Sequence, residues 1–305
     1  MPSTDRGFAL RDRIEFAARL HSIDEAPEPL RGAVTRALGS DDNIRCLIFG
    51  PIQKVIGKVS PASLLAILDH EWIIAVCGED TQLEVHRRSF AATLLAELTE
   101  VLLYGRLRLT FVEEGEARAV EIHFNTVMDW LYREALEFLL SRIGGSRQWA
   151  GNASGKSNAA FKVLPLKFRN GIHRYLPAGD NVRGFVHWPA ALERRWLLFR
   201  RERLPQGVLV LTNTQLMLIS EEKAWWRGKS SQNAKYGYVV TYCPLSRVAN
   251  IQLGEHEAYP VVDVKMCASQ FCAGFKIEVP HERKAAVKAF IKTIVSSQTL
   301  VPLSF

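Results

Sequence analysis

The chain has 305 residues, 48% of them hydrophobic and 23% charged, with 20 Gly, 13 Pro and a formal charge of +7. That apolar and aromatic content excludes disorder, and the ordinary Gly and Pro content excludes collagen-like and low-complexity classes. No apolar run reaches the ~18 residues of a membrane-spanning helix, and the length exceeds what one core usually fills, so two domains are expected.

The charged N-terminus, MPSTDRGFALRDRIEF, does not read as a secretory leader. Gly7–Leu20 reads as a modest amphipathic helix, followed by the Pro-containing Glu25–Leu30, so that 1–29 form an N-terminal helix and connector. Leu64–Leu68 and Trp72–Val76 are apolar runs broken by Asp69-His70, the mark of two short strands and a turn. Arg106–Phe111 alternates polar and apolar with period two, as a half-buried strand does. Glu113-Glu114-Gly115-Glu116 reads as a hairpin turn with a solvated charge run, not as an acid/base pair. The period then changes. Val127, Leu131, Ala135, Phe138 and Leu139 recur at three and four, with Thr126 and Asp129 spaced as a capping box.

GGSRQWAGNASGKSN (144–158) has the composition of a linker. Beyond it, Val208–Leu211 and Leu216–Ile219 form a second hairpin around Thr212-Asn213-Thr214, and Lys276-Ile277-Glu278-Val279 alternates again. Val287, Phe290, Ile291 and Ile294 make the apolar stripe of a last helix, with Lys284, Lys288 and Lys292 on another face.

The two halves repeat each other. Asp42-Asn43-Ile44-Arg45 with Pro51 recurs as Asp180-Asn181-Val182-Arg183 with Pro189, 138 residues later. LLAILDHEWIIAV (64–76) then matches VLVLTNTQLMLIS (208–220), LLAELTEVLL (94–103) matches PLSRVANIQL (244–253), and AVEIHF (119–124) matches GFKIEV (274–279). The offset grows only between matched segments, as loop insertions on a shared scaffold require. Each copy reads as about seven strands and one terminal helix.

This order resembles the pleckstrin-homology-like superfamily, in particular its bacterial PH-like and GRAM-type modules. The "LVLTNTQLMLIS" hairpin, the strand pair from Cys243 to Leu253 and the closing strand and helix carry the resemblance, over roughly 30–143 and 165–298. It implies an α+β, mainly β fold of two tandem PH-like barrels, each bent, antiparallel and plugged by its helix. Such modules bind rather than catalyse. The expected domains are 30–143 and 161–305, with 144–160 as a flexible linker. Another antiparallel α+β duplication would fit the same pattern.

Motifs for chemistry are sparse. Cys46, Cys77, Cys243, Cys267 and Cys272 are odd in number and contain no CxxC pair, which agrees with the inside of a cell and with no metal site. Ala150–Ser157 mimics a phosphate loop, but Pro165 and a short apolar run follow where a long helix is needed. No nucleophile elbow or zinc-protease motif occurs, and His173 and His187 read as packed or solvated histidines. No cofactor is expected, and the protein reads as a non-enzyme.

Charge is divided unevenly. Residues 1–146 hold 16 Lys+Arg against 22 Asp+Glu, a net of −6, whereas 147–305 hold 23 against 10, a net of +13. Within the basic copy, Arg194, Arg195, Arg200, Arg201 and Arg203 flank Trp196-Leu197-Leu198-Phe199. Planar guanidinium forks suit phosphate and carboxylate. In the PH-like family, basic residues around the early strands line the headgroup site, so the resemblance implies this role for the cluster. A second cluster, Lys223, Trp225, Trp226, Arg227 and Lys229, sets indoles among cations, as at a membrane interface. The alternative for both is a solvated basic surface with Trp packed on the barrel. The leading expectation is a cytoplasmic protein, peripheral at the inner membrane face, whose second domain binds an anionic membrane surface or an acidic protein. A protein-interaction scaffold that self-associates through strand edges or the N-terminal helix is the alternative. Nucleic acid ranks below both, because the acidic first copy repels a long polyanion.

Overall fold

A computed structural model of the chain describes residues 16–55, 58–78, 82–145, 160–196, 199–221, 237–256, 259–268 and 270–297. The chain divides into two compact units, Met1–Ile143 and Gly144–Phe305. Both are mainly β with a few helices, an α+β architecture.

The first unit opens with the two-residue strand β1 (Ala18–Arg19) and helix α1 (Leu30–Ala37). Strands β2 (Cys46–Gly50), β3 (Gln53–Val55), β4 (Lys58–Ser60), β5 (Ala62–Ile67), β6 (Glu71–Cys77) and β7 (Leu83–Ser89) follow. Their antiparallel sheet runs β1-β2-β5-β6-β7, and β3 and β4 form a small hairpin inserted between β2 and β5. Strands β8 (Thr93–Val101), β9 (Tyr104–Glu113) and β10 (Glu116–Asn125) then make a meander, and α2 (Asp129–Gly144) ends the unit.

All six residues of β5 are buried, because both its faces are covered. On one face lie Leu30, Ala33 and Val34 of α1, packed with Leu64, Ala66, Ile73 and Ala75. On the other side Trp72 meets Phe111 edge-on, with ring centroids 5.4 Å apart, and so ties the first sheet to the meander. Trp72 Nε1 donates to Thr93 Oγ1 at 2.9 Å, which satisfies the buried indole. Helix α2 buries Leu131, Tyr132, Ala135, Leu136 and Leu139. Tyr132 stacks on Phe124 at 4.0 Å. That stack needs the glycine opposite Phe124 in the β9–β10 register, since a Cβ on Gly105 would stand 2.2 Å from the Phe124 ring.

The second unit repeats the order: helix, strand, small hairpin, three strands, meander, helix. It comprises α3 (Leu166–Tyr175), β11 (Val182–Trp188), β12 (Ala191–Trp196), β13 (Phe199–Leu204), β14 (Gly207–Thr212), β15 (Gln215–Ser220) and β16 (Tyr238–Pro244). Then come β17 (Val248–His256), β18 (Tyr259–Ala268), β19 (Phe271–Glu278) and α4 (Lys284–Ser297). The pairings β11-β14-β15-β16 and β17-β18-β19 are antiparallel. Helix α4 lies over β11 and β17, with Val287 and Ile294 fully buried.

The repeated Asp-Asn-aliphatic-Arg segment serves the scaffold. Arg45 Nε donates to Asp69 Oδ1 at 2.6 Å, which ties the start of β2 to the β5–β6 turn. Arg183 donates to Asn213 Oδ1 at the corresponding β14–β15 turn. Asp180 completes that clamp: Oδ1 accepts from Asn213 N at 2.8 Å and Oδ2 from Thr214 Oγ1 at 2.7 Å.

Several expectations are corrected. Ala18 and Arg19 pair with Phe49 and Ile48 as a strand, so the helix read over Gly7–Leu20 does not extend there; residues 7–15 lie outside the described ones. Thr126 does not cap α2, because its hydroxyl donates to Leu102 O and Asn125 accepts from Val127 N in a short 3-10 turn. Val127 consequently lies 56% exposed, outside the apolar stripe. No sheet among the described strands closes on itself, so the closed barrels implied by the resemblance do not appear; the strands form open antiparallel sheets and two small hairpins. The matched segments 94–103 and 244–253 begin at different points of their strands, since β8 starts at Thr93 and β17 only at Val248. Cys267 and Cys272, read from the sequence only as unable to complete a metal site, form a disulfide because the β18–β19 register sets them directly opposite, one pair from the loop. Helices α1 and α3 were not foreseen at all.

Candidate functional site

The site is built on the upper end of the β11-β14-β15-β16 sheet, the end reached by Trp188, Gly207, Ser220 and Val239 in register. From there the chain leaves twice. Between β11 and β14 it makes the β12–β13 hairpin, whose register sets Arg194 opposite Arg200 and Glu193 opposite Arg201. Shifts in that register fall on either side, so Arg195 and Arg203 stand at irregular positions of the two strands. All five arginines singled out in the sequence therefore lie on one ribbon. Between β15 and β16 the chain carries Lys223, Trp225, Trp226, Arg227 and Lys229, which lie outside the described residues. The flanking strand ends, Ser220 and Tyr238, belong to the same end of the sheet as the arginine ribbon.

The base of the ribbon is tightly built. Trp188 Nε1 donates to Pro205 O at 3.2 Å, and its ring lies where a Cβ on Gly207 would come within 2.7 Å. Glu221, just past β15, is buried and accepts from Gln206 Nε2 at 2.5 Å and from Lys167 Nζ at 2.6 Å. Lys167 also holds its ammonium 5.1 Å from the centre of the Tyr238 ring, and Tyr238 donates its hydroxyl to Lys167 O at 2.9 Å. Burial pushes the Tyr238 phenol above its ordinary value. At the other end of the helix Tyr242 donates to Tyr175 O at 2.9 Å. Helix α3 is thus pinned along β16, with Gly171 letting the Tyr238 ring approach closely.

The first turn of α3 therefore stands at the ribbon's end of the sheet. Here the sequence reading missed residues. Val163 and Leu166 are 79% and 59% exposed, although 161–164 reads as a short apolar run after a linker. The signal was present in Pro165 followed by LKFRNGIHRY, a proline at a helix start with apolar residues spaced three and four apart.

His187 sits beneath the same region, its ring 5.3 Å from that of Phe168. Burial, with the charge of Arg283 adding to it, lowers its pKa from the usual histidine value. His173 is exposed. No group of three or more His, Cys, Asp and Glu able to hold a metal occurs among the described residues. No helix among them is long and apolar enough to cross a membrane.

No family model matches the chain, and neither the curated proteins nor the solved structures give a significant match.

Proposed function

We propose that the chain is a non-enzymatic binding protein of two PH-like units, whose basic second unit engages an anionic surface such as lipid headgroups. The supporting observation is topological. The ribbon that carries Arg194, Arg195, Arg200, Arg201 and Arg203 joins the first and second strands of the main sheet, at the end where β15 and β16 flank the Lys223–Lys229 segment. Clustered guanidiniums on one ribbon give a local positive potential within a unit of net +13, and such a potential attracts phosphate-bearing surfaces at ranges of a Debye length, about 10 Å at ordinary salt. Cosedimentation with phosphatidylserine-containing vesicles at low and high salt tests the reading. Binding at low salt that fades at high salt supports it, and silent vesicles at low salt sink it.

A second reading draws on the first unit. Leu102, Leu103, Val127 and Trp130 are each about half exposed or more and lie together, since Thr126 bonds to the carbonyls of Leu102 and Leu103. A patch of this kind suits a protein contact. Light scattering that gives a discrete oligomer, with silent vesicles, selects this reading.

A further inference from the structure

We infer that the entry to α3 is a wedge that inserts Val163 and Leu166 into the acyl boundary of an anionic bilayer, beside the headgroup-binding ribbon. The inference rests on the lipid reading proposed above and adds to it an apolar contact that the arginines cannot supply.

Val163 is the most exposed large apolar residue among those described, and Leu166 follows it three positions on. Neither is a loose end. Phe161 stacks on Phe185 with centroids 5.4 Å apart, and Leu164 and Phe168 are buried, so the inward positions of this turn are filled and the outward ones are left to Val163 and Leu166. The platform is rigid, because the adjoining Lys167 is held through its ammonium by Glu221 and through its carbonyl by Tyr238. An apolar pair held outward on a fixed turn does not collapse onto its own core, and stays available to an apolar phase.

Charge and position select the occupant. Lys162 is exposed beside Val163, the unit carries 23 Lys+Arg against 10 Asp+Glu, and the same end of the sheet presents the arginine ribbon. Two exposed aliphatic side chains with Lys162 beside the first, at the end of the sheet that carries the arginine ribbon, fit a bilayer: the headgroups meet the charge and the acyl boundary takes the side chains. An acidic protein would need a preformed groove to receive them.

The test is partitioning of the full chain onto vesicles of phosphatidylcholine with phosphatidylserine. Val163→Ser and Leu166→Ser, which remove the apolar side chain without adding charge, are compared with wild type, with Arg194→Ala/Arg200→Ala and with Leu103→Asp, a control on the first unit. Val163 and Leu166 are exposed, so both substitutions leave the fold intact, which a thermal melt verifies. Each is expected to weaken partitioning by roughly tenfold or more, the loss set by one buried aliphatic side chain, while the salt dependence stays that of wild type. Leu103→Asp is expected to bind as wild type does. If Val163→Ser and Leu166→Ser bind like wild type while the arginine variant loses binding, the wedge is overturned and the headgroup reading stands. If wild type itself does not bind, both fall together.

Discussion

Lys167 places its ammonium 2.6 Å from Glu221, across 54 residues of chain, and that pair fastens helix α3 to the end of the sheet where the arginine ribbon begins. Glu221 is 6% exposed at its side chain and Lys167 22%, so little water screens the contact. Glu221→Ala leaves the ammonium and the Gln206 amide without their shared acceptor. We expect a loss of about 2 kcal/mol in stability, less than for a fully buried pair because Lys167 still touches water. Hydrogen exchange checks it: the amides of α3 should exchange faster, whereas those of α1 in the first unit should not change.

Gly105 gives a prediction about packing. A Cβ there meets the Phe124 ring at 2.2 Å, and that ring is itself clamped by Tyr132. Gly105→Ala should cost about 1–3 kcal/mol by overpacking. Combining it with Phe124→Leu should recover part of the loss, measured by urea unfolding of the two single variants and the double. At Gly254, where nothing lies within 4 Å, the same change to Ala should be close to neutral.

Two histidines make stability depend on pH. Burial lowers the pKa of His86, with Arg88 adding to it, and burial with Arg283 lowers that of His187. The unfolded chain protonates these rings near the ordinary value of 6.5, whereas the folded protein resists. Below that pH the unfolded state binds more protons, so stability that is present above it drains away as pH falls through the window. The urea midpoint should drop between about pH 7.5 and 5.5, and the His86→Gln/His187→Gln pair should flatten that slope. A slope unchanged in the double variant would assign the effect elsewhere.

The Cys267–Cys272 disulfide closes a short loop at the tip of the β18–β19 hairpin. A loop of this length confers about 2 kcal/mol in the chain-entropy account. Oxidised protein should therefore melt above reduced protein, and Cys267→Ser/Cys272→Ser should match the reduced form with or without dithiothreitol. Cys46, Cys77 and Cys243 remain as thiols in both states, and burial pushes the Cys46 thiol up.

Much of the architecture was legible from one dimension. Period-two alternation marks β9, whose residues from Arg106 to Phe111 alternate half-buried and buried as read. Apolar runs broken by Asp69-His70 and Thr212-Asn213-Thr214 mark the two central hairpins, and Val287, Phe290, Ile291 and Ile294 are the buried stripe of α4. These signals are local: side-chain period and turn chemistry are written in neighbouring residues. The repeated element order was also legible, because insertions that separate matched segments leave their sequence intact.

Tertiary structure decided what side-chain period and turn chemistry do not write: strand register and the partners that side chains find. It set Cys267 against Cys272 through strand register, exposed Val127 by giving Thr126 another partner in Leu102, and left the sheets open among the described strands. It also put five arginines on one ribbon and anchored α3 beside them through Lys167, Glu221 and Tyr238. The length of 305 pointed to two units, and the order of charges along the sequence, not the total of +7, put the excess of cations in the second. Composition carries no positions. Only chain reversal returns β12–β13 and the ends of β15 and β16 to one end of one sheet.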